Sequence, residues 1–323
     1  MAAGGETSQG SASEAEANVH QLNLDFYRLE PASYFFFRLR NLLLSAGRGL
    51  ELEQLMGKGV DVGTFHVSAP EGQELHALDE EQREAQHAFV TLETEVLLHH
   101  VGETLIRLYM AHEHSPACPW IAMSRERSPR RFKAKTKNLL ERLDSPSGRD
   151  QMAAVFFNTT DRLAFGDKAP DEKVWGELLD STKAWLSWFG TYILDGDVYN
   201  AAKHGLGVHP QRLSLSVEID GKPFIGGSGP CLEYLQSSRT DDGDRQWRKT
   251  TKWVQWDRHF GCIFVAAQLI HRLWTVAQVQ YGSAEKLDLE LRVFATPSEL
   301  FKNEEMALAS FSHSLGFNAD AFT

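Results

Sequence analysis

The spacing of apolar residues changes at Gly205, and that change limits what the chain can fold into. Before it, apolar residues recur every three or four positions. After it, they alternate with polar ones for a stretch. A helix buries a stripe of period 3.6 and a half-buried strand a face of period two. The chain therefore reads as mainly α: a helical bundle with a smaller α+β C-terminal part containing a β-hairpin and a long helix.

In the first part, Tyr34 to Met56 reads as one or two helices with Phe35, Leu39, Leu42 and Leu43 on the apolar side and a break at Gly47 to Gly49. Gly57 to Glu74 reads as loop. Asp79 to about His112 carries Phe89, Leu92, Val96, Leu97, Val101, Leu105 and Leu108 at helical spacing, and Pro116 and Pro119 stop it. Pro129 to Leu143 and Gln151 to Phe165 give two shorter helices. Asp171 to about Leu194 buries Val174, Leu178, Trp185, Trp188, Phe189 and Ile193. A short helix, Val198 to His204, is bounded by Asp197 as cap and by Gly205.

In the second part, Leu213, Leu215, Val217 and Ile219 alternate with polar residues before Asp220-Gly221, the signature of a hairpin that returns through Phe224 and Ile225. Gly226 to Pro230 breaks the chain, and Thr251 to Trp256 forms another strand. Phe260, Ile263, Phe264, Ala267, Ile270, Trp274 and Ala277 mark a long helix in which His271 reads as a core residue. Leu287, Leu289, Leu291 and Val293 form a second alternating run. No internal repeat is present. The expected organisation is a disordered tail (1–24), an N-terminal helical segment and loop (25–78), the bundle (79–206) and the α+β extension (207–323).

Composition narrows the classes of function. Of 323 residues, 42% are hydrophobic and 11% aromatic, enough for one sizeable core or two smaller ones without staples. Cys118, Cys231 and Cys262 are odd in number and far apart, which suits a reducing compartment. The first nineteen residues have neither an apolar core nor a leading positive charge, so no secretory signal is expected. The apolar stretches are shorter than the roughly 20 residues of a membrane span. A cytoplasmic protein with no membrane partner follows as the expectation. The net charge of −11 works against non-specific attraction to duplex DNA or anionic lipid.

Several chemistries lack their residues. Neither Gly57-Lys58-Gly59 nor Gly221-Lys222-Pro223 continues into a Walker motif, and no dinucleotide fingerprint is present. Gly226-Gly227-Ser228-Gly229-Pro230 ends in Pro where a nucleophile elbow needs Gly, so it reads as a loop. Glu95 and His99 have the wrong separation for a di-iron bundle. His112-Glu113-His114 with Cys118 lacks a second ligand pair for zinc and reads as a solvated helix end. No cofactor or metal is implied.

Three groups of residues remain. Glu95, His99, Glu103 and Arg107 recur every four positions and so form one column on a helix, either a solvent-facing stripe or the lining of a cleft. Asn200, Lys203 and His204 share the short helix. Either the two cations neutralise its negative end, or His204 serves as acid, base or phosphate contact. Arg125, Arg127, Arg130, Arg131, Lys133, Lys135 and Lys137 stand against Glu126 alone, a run that is either solvated or placed for phosphates.

The segment Tyr199-Asn200-Ala201-Ala202-Lys203-His204 resembles the last core helix of the HEPN superfamily, whose members carry there an Arg, a polar residue that is often Asn, and a His a few positions on. The resemblance covers about Asp79 to Gly205. Catalytic members are metal-independent ribonucleases that act as dimers, and a Glu on an earlier core helix is familiar among them, a place that Glu95 or Glu103 would fill. Tyr199 stands where the Arg would be, and tyrosine brings no permanent positive charge to a phosphate. The resemblance implies His204, Asn200 and Glu103 as candidate catalytic residues. Tyr199, Lys203, Glu95, His99, Arg107, Arg130 and Arg131 are then ligand contacts.

The expectation is thus an HEPN-like protein of stress or defence, RNA-binding or a degenerate ribonuclease, with RNA or a nucleotide as partner and a homodimer as its assembly. Any enzyme activity would be that of a metal-independent ribonuclease or phosphodiesterase. The alternative is a non-catalytic protein-interaction or oligomeric scaffold subunit, which eight tryptophans would suit.

Overall fold

Residues 7–47, 60–62, 65–67, 79–203, 207–219, 222–239, 245–284, 287–302 and 310–314 are described by the computed structural model. In chain order the elements are α1 (Thr7–Phe26), α2 (Pro31–Gly47), β1 (Val60–Val62), β2 (Phe65–Val67), α3 (Glu80–His114), α4 (Pro119–Arg125), α5 (Pro129–Leu143) and α6 (Pro146–Phe157). A 3₁₀ turn (Arg162–Lys168) follows. Then come α7 (Glu172–Leu194), α8 (Asp197–Lys203), β3 (Val208–Ile219), β4 (Lys222–Arg239), β5 (Arg245–Trp253), α9 (Trp256–Gln280), α10 (Pro297–Leu300) and β6 (Ser310–Ser314). The fold is mainly α, with a four-stranded antiparallel sheet in the order β3-β4-β5-β6 and a long helix in its later part.

Local chemistry fixes the helix ends. Asp79 and Gln82 cap α3 reciprocally: the Asp79 carboxylate accepts from the Gln82 amide at 2.8 Å and the Gln82 side chain from the Asp79 amide at 3.2 Å. Ser128 and Ser145 precede Pro129 and Pro146, so each helix has a hydroxyl cap and a proline whose missing N–H costs nothing there. Asp171 caps α7 through the Val174 amide at 2.8 Å.

Two compact units divide the chain. One comprises Met1–Phe35, His100–Asp195 and Phe264–Leu300, the other Phe36–His99, Gly196–Ile263 and Phe301–Thr323. The first unit is helical, and Leu105, Tyr109, Phe156, Trp185, Leu186 and Phe189 are shut off from solvent at its core. Gly190 allows α5 and α7 to close on each other, since a Cβ there would lie 2.8 Å from Leu140 Cδ2. In the second unit α8 lies on the sheet. Val198 packs with Val208, Leu232, Tyr234 and Val254, and Leu92, Ala201, Ala202 and Trp256 close over them.

Several expectations need correction. Residues 7–26 form α1 and not a floppy tail: Asn23 donates to the Ala117 carbonyl at 2.8 Å, and Tyr27, just beyond the helix, is completely buried. Within the expected loop 57–74, Val60–Val62 pairs with Phe65–Val67, while the remainder lies outside the described residues. The helix expected over Gln151 to Phe165 begins at Pro146 and ends at Phe157, where Asn158 turns left-handed (φ 59°). Leu43 is half exposed, off the buried face of α2. The break expected after Gly47 lies outside the described residues.

Gly226 to Pro230 does not break the chain, because β4 runs through it paired with Ser216 to Arg212 of β3. The glycines serve the sheet. A Cβ on Gly227 would meet the Trp253 ring at 2.7 Å, and Gly229 sits at φ +117°. The turn Asp220-Gly221 itself lies outside the described residues.

Leu287 to Val293 is not a strand. The segment around it is held by side chains: Arg272 donates to the Arg292 carbonyl at 2.9 Å, Ser181 to that of Phe294 at 2.8 Å and Trp185 to that of Ala295 at 2.9 Å. Arg272 is 4% exposed and lies over the Phe157 and Phe294 rings at 5.1 and 5.5 Å, and burial lowers its pKa to about 10. The fourth strand is β6, whose Ser-Phe-Ser-His-Ser sequence carries little apolar signal. His271 is no core residue: it is half exposed and paired with Glu30. Finally, α9 is 25 residues long with a mean hydropathy of 1.4 over its most apolar window, enough by length and composition to cross a membrane. Of that window 72% is buried inside the protein, as in a core helix.

Candidate functional site

Helix α8 begins one residue before the expected start. Asp197 is its first residue and not its cap, since the Asn200 amide donates to the Gly196 carbonyl at 2.9 Å. The Asp197 carboxylate accepts from Gln236 of β4 at 2.7 Å. With Val198, Ala201 and Ala202 turned into the core, Asn200 and Lys203 are exposed and Tyr199 is half-buried. His204 and Gly205 lie outside the described residues.

The polar column on α3 is no solvent-facing stripe at its N-terminal end. Glu95 and His99 are 2% and 6% exposed. The Glu95 Oε1 atom accepts from Lys252 Nζ of β5 at 2.5 Å, and Oε2 lies 3.7 Å from His259 Nε2 of α9. His259 is oriented through Nδ1, 2.7 Å from the Gln255 carbonyl oxygen. The His99 ring lies flat on Tyr199, with centroids 3.9 Å apart and planes within 2°. The Lys203 ammonium stands 5.9 Å from the centre of the Tyr199 ring. One unit thus brings Glu95, His99, Tyr199 and Lys203 together.

Glu103 and Arg107 belong to the other unit, where they pair at 2.7 Å. Arg107 also donates to the Glu126 carbonyl at 2.8 Å and covers the Phe132 ring at 4.0 Å. The basic run is not one face. Lys133 caps the end of α7 by donating to the Leu194 carbonyl at 3.1 Å, Arg127 donates to that of Ser124 at 3.2 Å, and Lys135 pairs with Glu126. Arg130 and Arg131 are exposed in the first turn of α5.

Sequence reasoning missed a hollow of about 920 Å³ beside α8, lined by Asp197, Asn200, His209, Glu233, Gln236 and Lys249. Glu233 is 8% exposed, 2.7 Å from Lys249 Nζ and 3.2 Å from the Thr251 hydroxyl, with Gln211 as a further donor. Gln236 accepts from Thr250 at 2.7 Å while donating to Asp197. An amide, a carboxylate and a cation around one hollow suit a polar ligand with donors and acceptors of its own. The strand spacing of Glu233, Lys249 and Thr251 signals only that they share a face. It gives no hint that α8 stands beside them.

His112 and Glu113 point to separate structural partners. Glu113 pairs with Arg142 at 2.7 Å, and His112 Nε2 shares a 2.7 Å hydrogen bond with the Tyr27 hydroxyl. Among the described residues no three His, Cys, Asp or Glu side chains gather as a metal site. Burial lowers the His112 pKa from 6.5 to about 4. In that window the unfolded chain takes a proton the folded one refuses. The stability contributed is therefore complete above pH 6.5 and lost as pH falls towards 4, by up to about 3 kcal/mol. Melting temperatures measured between pH 7 and pH 4 should fall more steeply for the native protein than for His112→Gln.

Comparisons of the chain with protein-family models, curated proteins and solved structures give no significant match.

Proposed function

We propose that this is an HEPN-like RNA-binding protein, with the stress or defence role that resemblance implies, and that it holds RNA without cutting it. The stack of Tyr199 on His99 at 3.9 Å supports the reading most. The position that would bring a guanidinium to the scissile phosphate carries a ring already engaged in packing, so the charge that would stabilise a cleaving phosphate has no source there. Asn200 and Lys203 on the same helix are exposed and can still meet the backbone, one as amide donor and the other as cation. Arg130 and Arg131 add a second exposed basic position.

Fluorescence anisotropy with a labelled single-stranded RNA tests this over a series of salt concentrations. Lys203→Glu, His204→Ala and the Arg130→Glu/Arg131→Glu pair should each weaken binding. Each cation that contacts a phosphate accounts for about 0.7 of the slope of log affinity against log salt. The RNA should be recovered intact. Equal affinity in all variants would remove the RNA reading, and cleavage abolished by His204→Ala would remove the non-cutting half of it. Light scattering with and without RNA separates this reading from the scaffold, which would form an oligomer indifferent to RNA.

A further inference from the structure

A cavity of about 390 Å³ lies within the first unit, between the last turns of α3, the turn that follows, and α4. Its floor is apolar: Met110, Ala111, Cys118, Ile121 and Met123. Its rim carries Arg107, Arg125 and Lys135, with Glu126 beside Lys135 and Glu103 paired with Arg107. We infer that this cavity is a binding site for a small amphipathic anion, an apolar body ending in a carboxylate or phosphate. The inference goes beyond the RNA reading and does not rest on it.

The sequence builds this shape from ordinary parts. Pro116 and Pro119 stop α3 and start α4 after a tight turn, in which the Ser115 amide donates to Ala111 and the Cys118 amide to Ser115. The short α4 then brings Ile121 and Met123 to the cavity that Met110 and Ala111 also line, and ends on Arg125. Two methionines give a floor that adapts to the body of a guest. The volume lies within the range of about 300–1,000 Å³ found for small-molecule sites.

The rim decides the sign of the guest. Lys135 and Glu126 neutralise one another, whereas Arg125 is exposed and has no ion pair among the described residues. Arg107 is held rigidly by Glu103, the Glu126 carbonyl and the face of Phe132. Nε and Nη2 serve Glu103 and Nη1 serves the Glu126 carbonyl, so Arg107 is a fixed part of the wall with its charge balanced by Glu103. With Arg107 balanced by Glu103 and Lys135 by Glu126, the unbalanced charge at the mouth is that of Arg125, whose planar guanidinium suits a carboxylate or phosphate and repels a cation. In a chain of net charge −11, an arginine without an ion pair over an apolar floor selects for an anion.

Isothermal titration of the full-length protein with four probes of one chain length tests the site: octanoate, octyl phosphate, octan-1-ol and octyltrimethylammonium. Both anions should bind at least about tenfold more tightly than the alcohol, as expected of charge-assisted hydrogen bonds, and the cation should not bind. The tighter anion identifies the preferred head group. Arg125→Glu should remove most of that preference while leaving octanol binding unchanged, because it sits at the mouth and not in the floor. Ala111→Trp fills the floor and should abolish binding of all probes. Equal affinity for alcohol and anions, or no binding of any probe to the native protein, overturns the proposal. So does an anion preference that survives Arg125→Glu.

Discussion

Lys252→Met is expected to destabilise the protein by about 3–5 kcal/mol, the range for breaking a buried ion pair by removing one partner. The effect is large because of Glu95, not because of the lysine. Glu95 is 2% exposed, and the substitution takes away a cation 2.5 Å from its carboxylate. A carboxylate held in a place that water barely reaches then loses much of what offset its desolvation. Adding Glu95→Gln to Lys252→Met should recover a substantial part of the loss, since a neutral amide costs less to bury. Denaturant midpoints of the two single variants and the double variant measure the coupling. Additive losses would mean that the pair does not interact in solution.

Trp185→Ala should cost a similar amount, about 3–5 kcal/mol for emptying a large core site. The side chain is 1% exposed, packs against Trp188 and Phe189 with ring centres 5.8 Å away, and donates its indole N–H to the Ala295 carbonyl at 2.9 Å. Its loss has a local consequence besides the global one. Residues 287–296 have no ladder of their own, and Ser181, Trp185 and Arg272 hold three of their carbonyls. Limited proteolysis below the melting temperature should therefore cut Trp185→Ala within this segment sooner than the native chain. Trp185→Phe keeps most of the apolar filling and loses the N–H, so it should cost less overall and still loosen the segment.

The helices were legible because their signals are local. Asp171 places a cap before an amphipathic run and α5 spans the residues its spacing indicates, whereas the Ser145-Pro146 start of α6, which opens a helix with little amphipathic pattern, was passed over. The hairpin of β3 and β4 was legible from its alternation. The errors in the strands share a physical origin, which is that tertiary partners outweighed local pattern. Alternating Leu287 to Val293 forms no strand, and side chains of α7 and α9 instead hold the carbonyls of Arg292 and of Phe294 and Ala295 just beyond it. The glycines at 226 to 229 read as a break, yet Gly227 is the residue that admits the Trp253 ring.

The site was legible only in part. Spacing placed Glu95 and His99 on one face, and the polar residues of the short helix pointed to Asn200 and Lys203. It could not show that Glu95 is buried, because the cause is Lys252, 157 residues further on. A cation facing Leu232 across the sheet needs an internal counter-charge, and only the register reveals that pairing. The exposed basic run proved divided: Lys133 holds a helix end, Lys135 pairs with Glu126, and Arg130 and Arg131 remain at the surface.

The most direct measurement is photo-crosslinking of a 4-thiouridine RNA to the full-length protein, with the adducts mapped by mass spectrometry. RNA held on α8 should leave adducts on Tyr199 to His204, and Lys203→Glu should deplete them. Adducts found only on other helices, or none at a saturating RNA concentration, would contradict RNA binding by this helix.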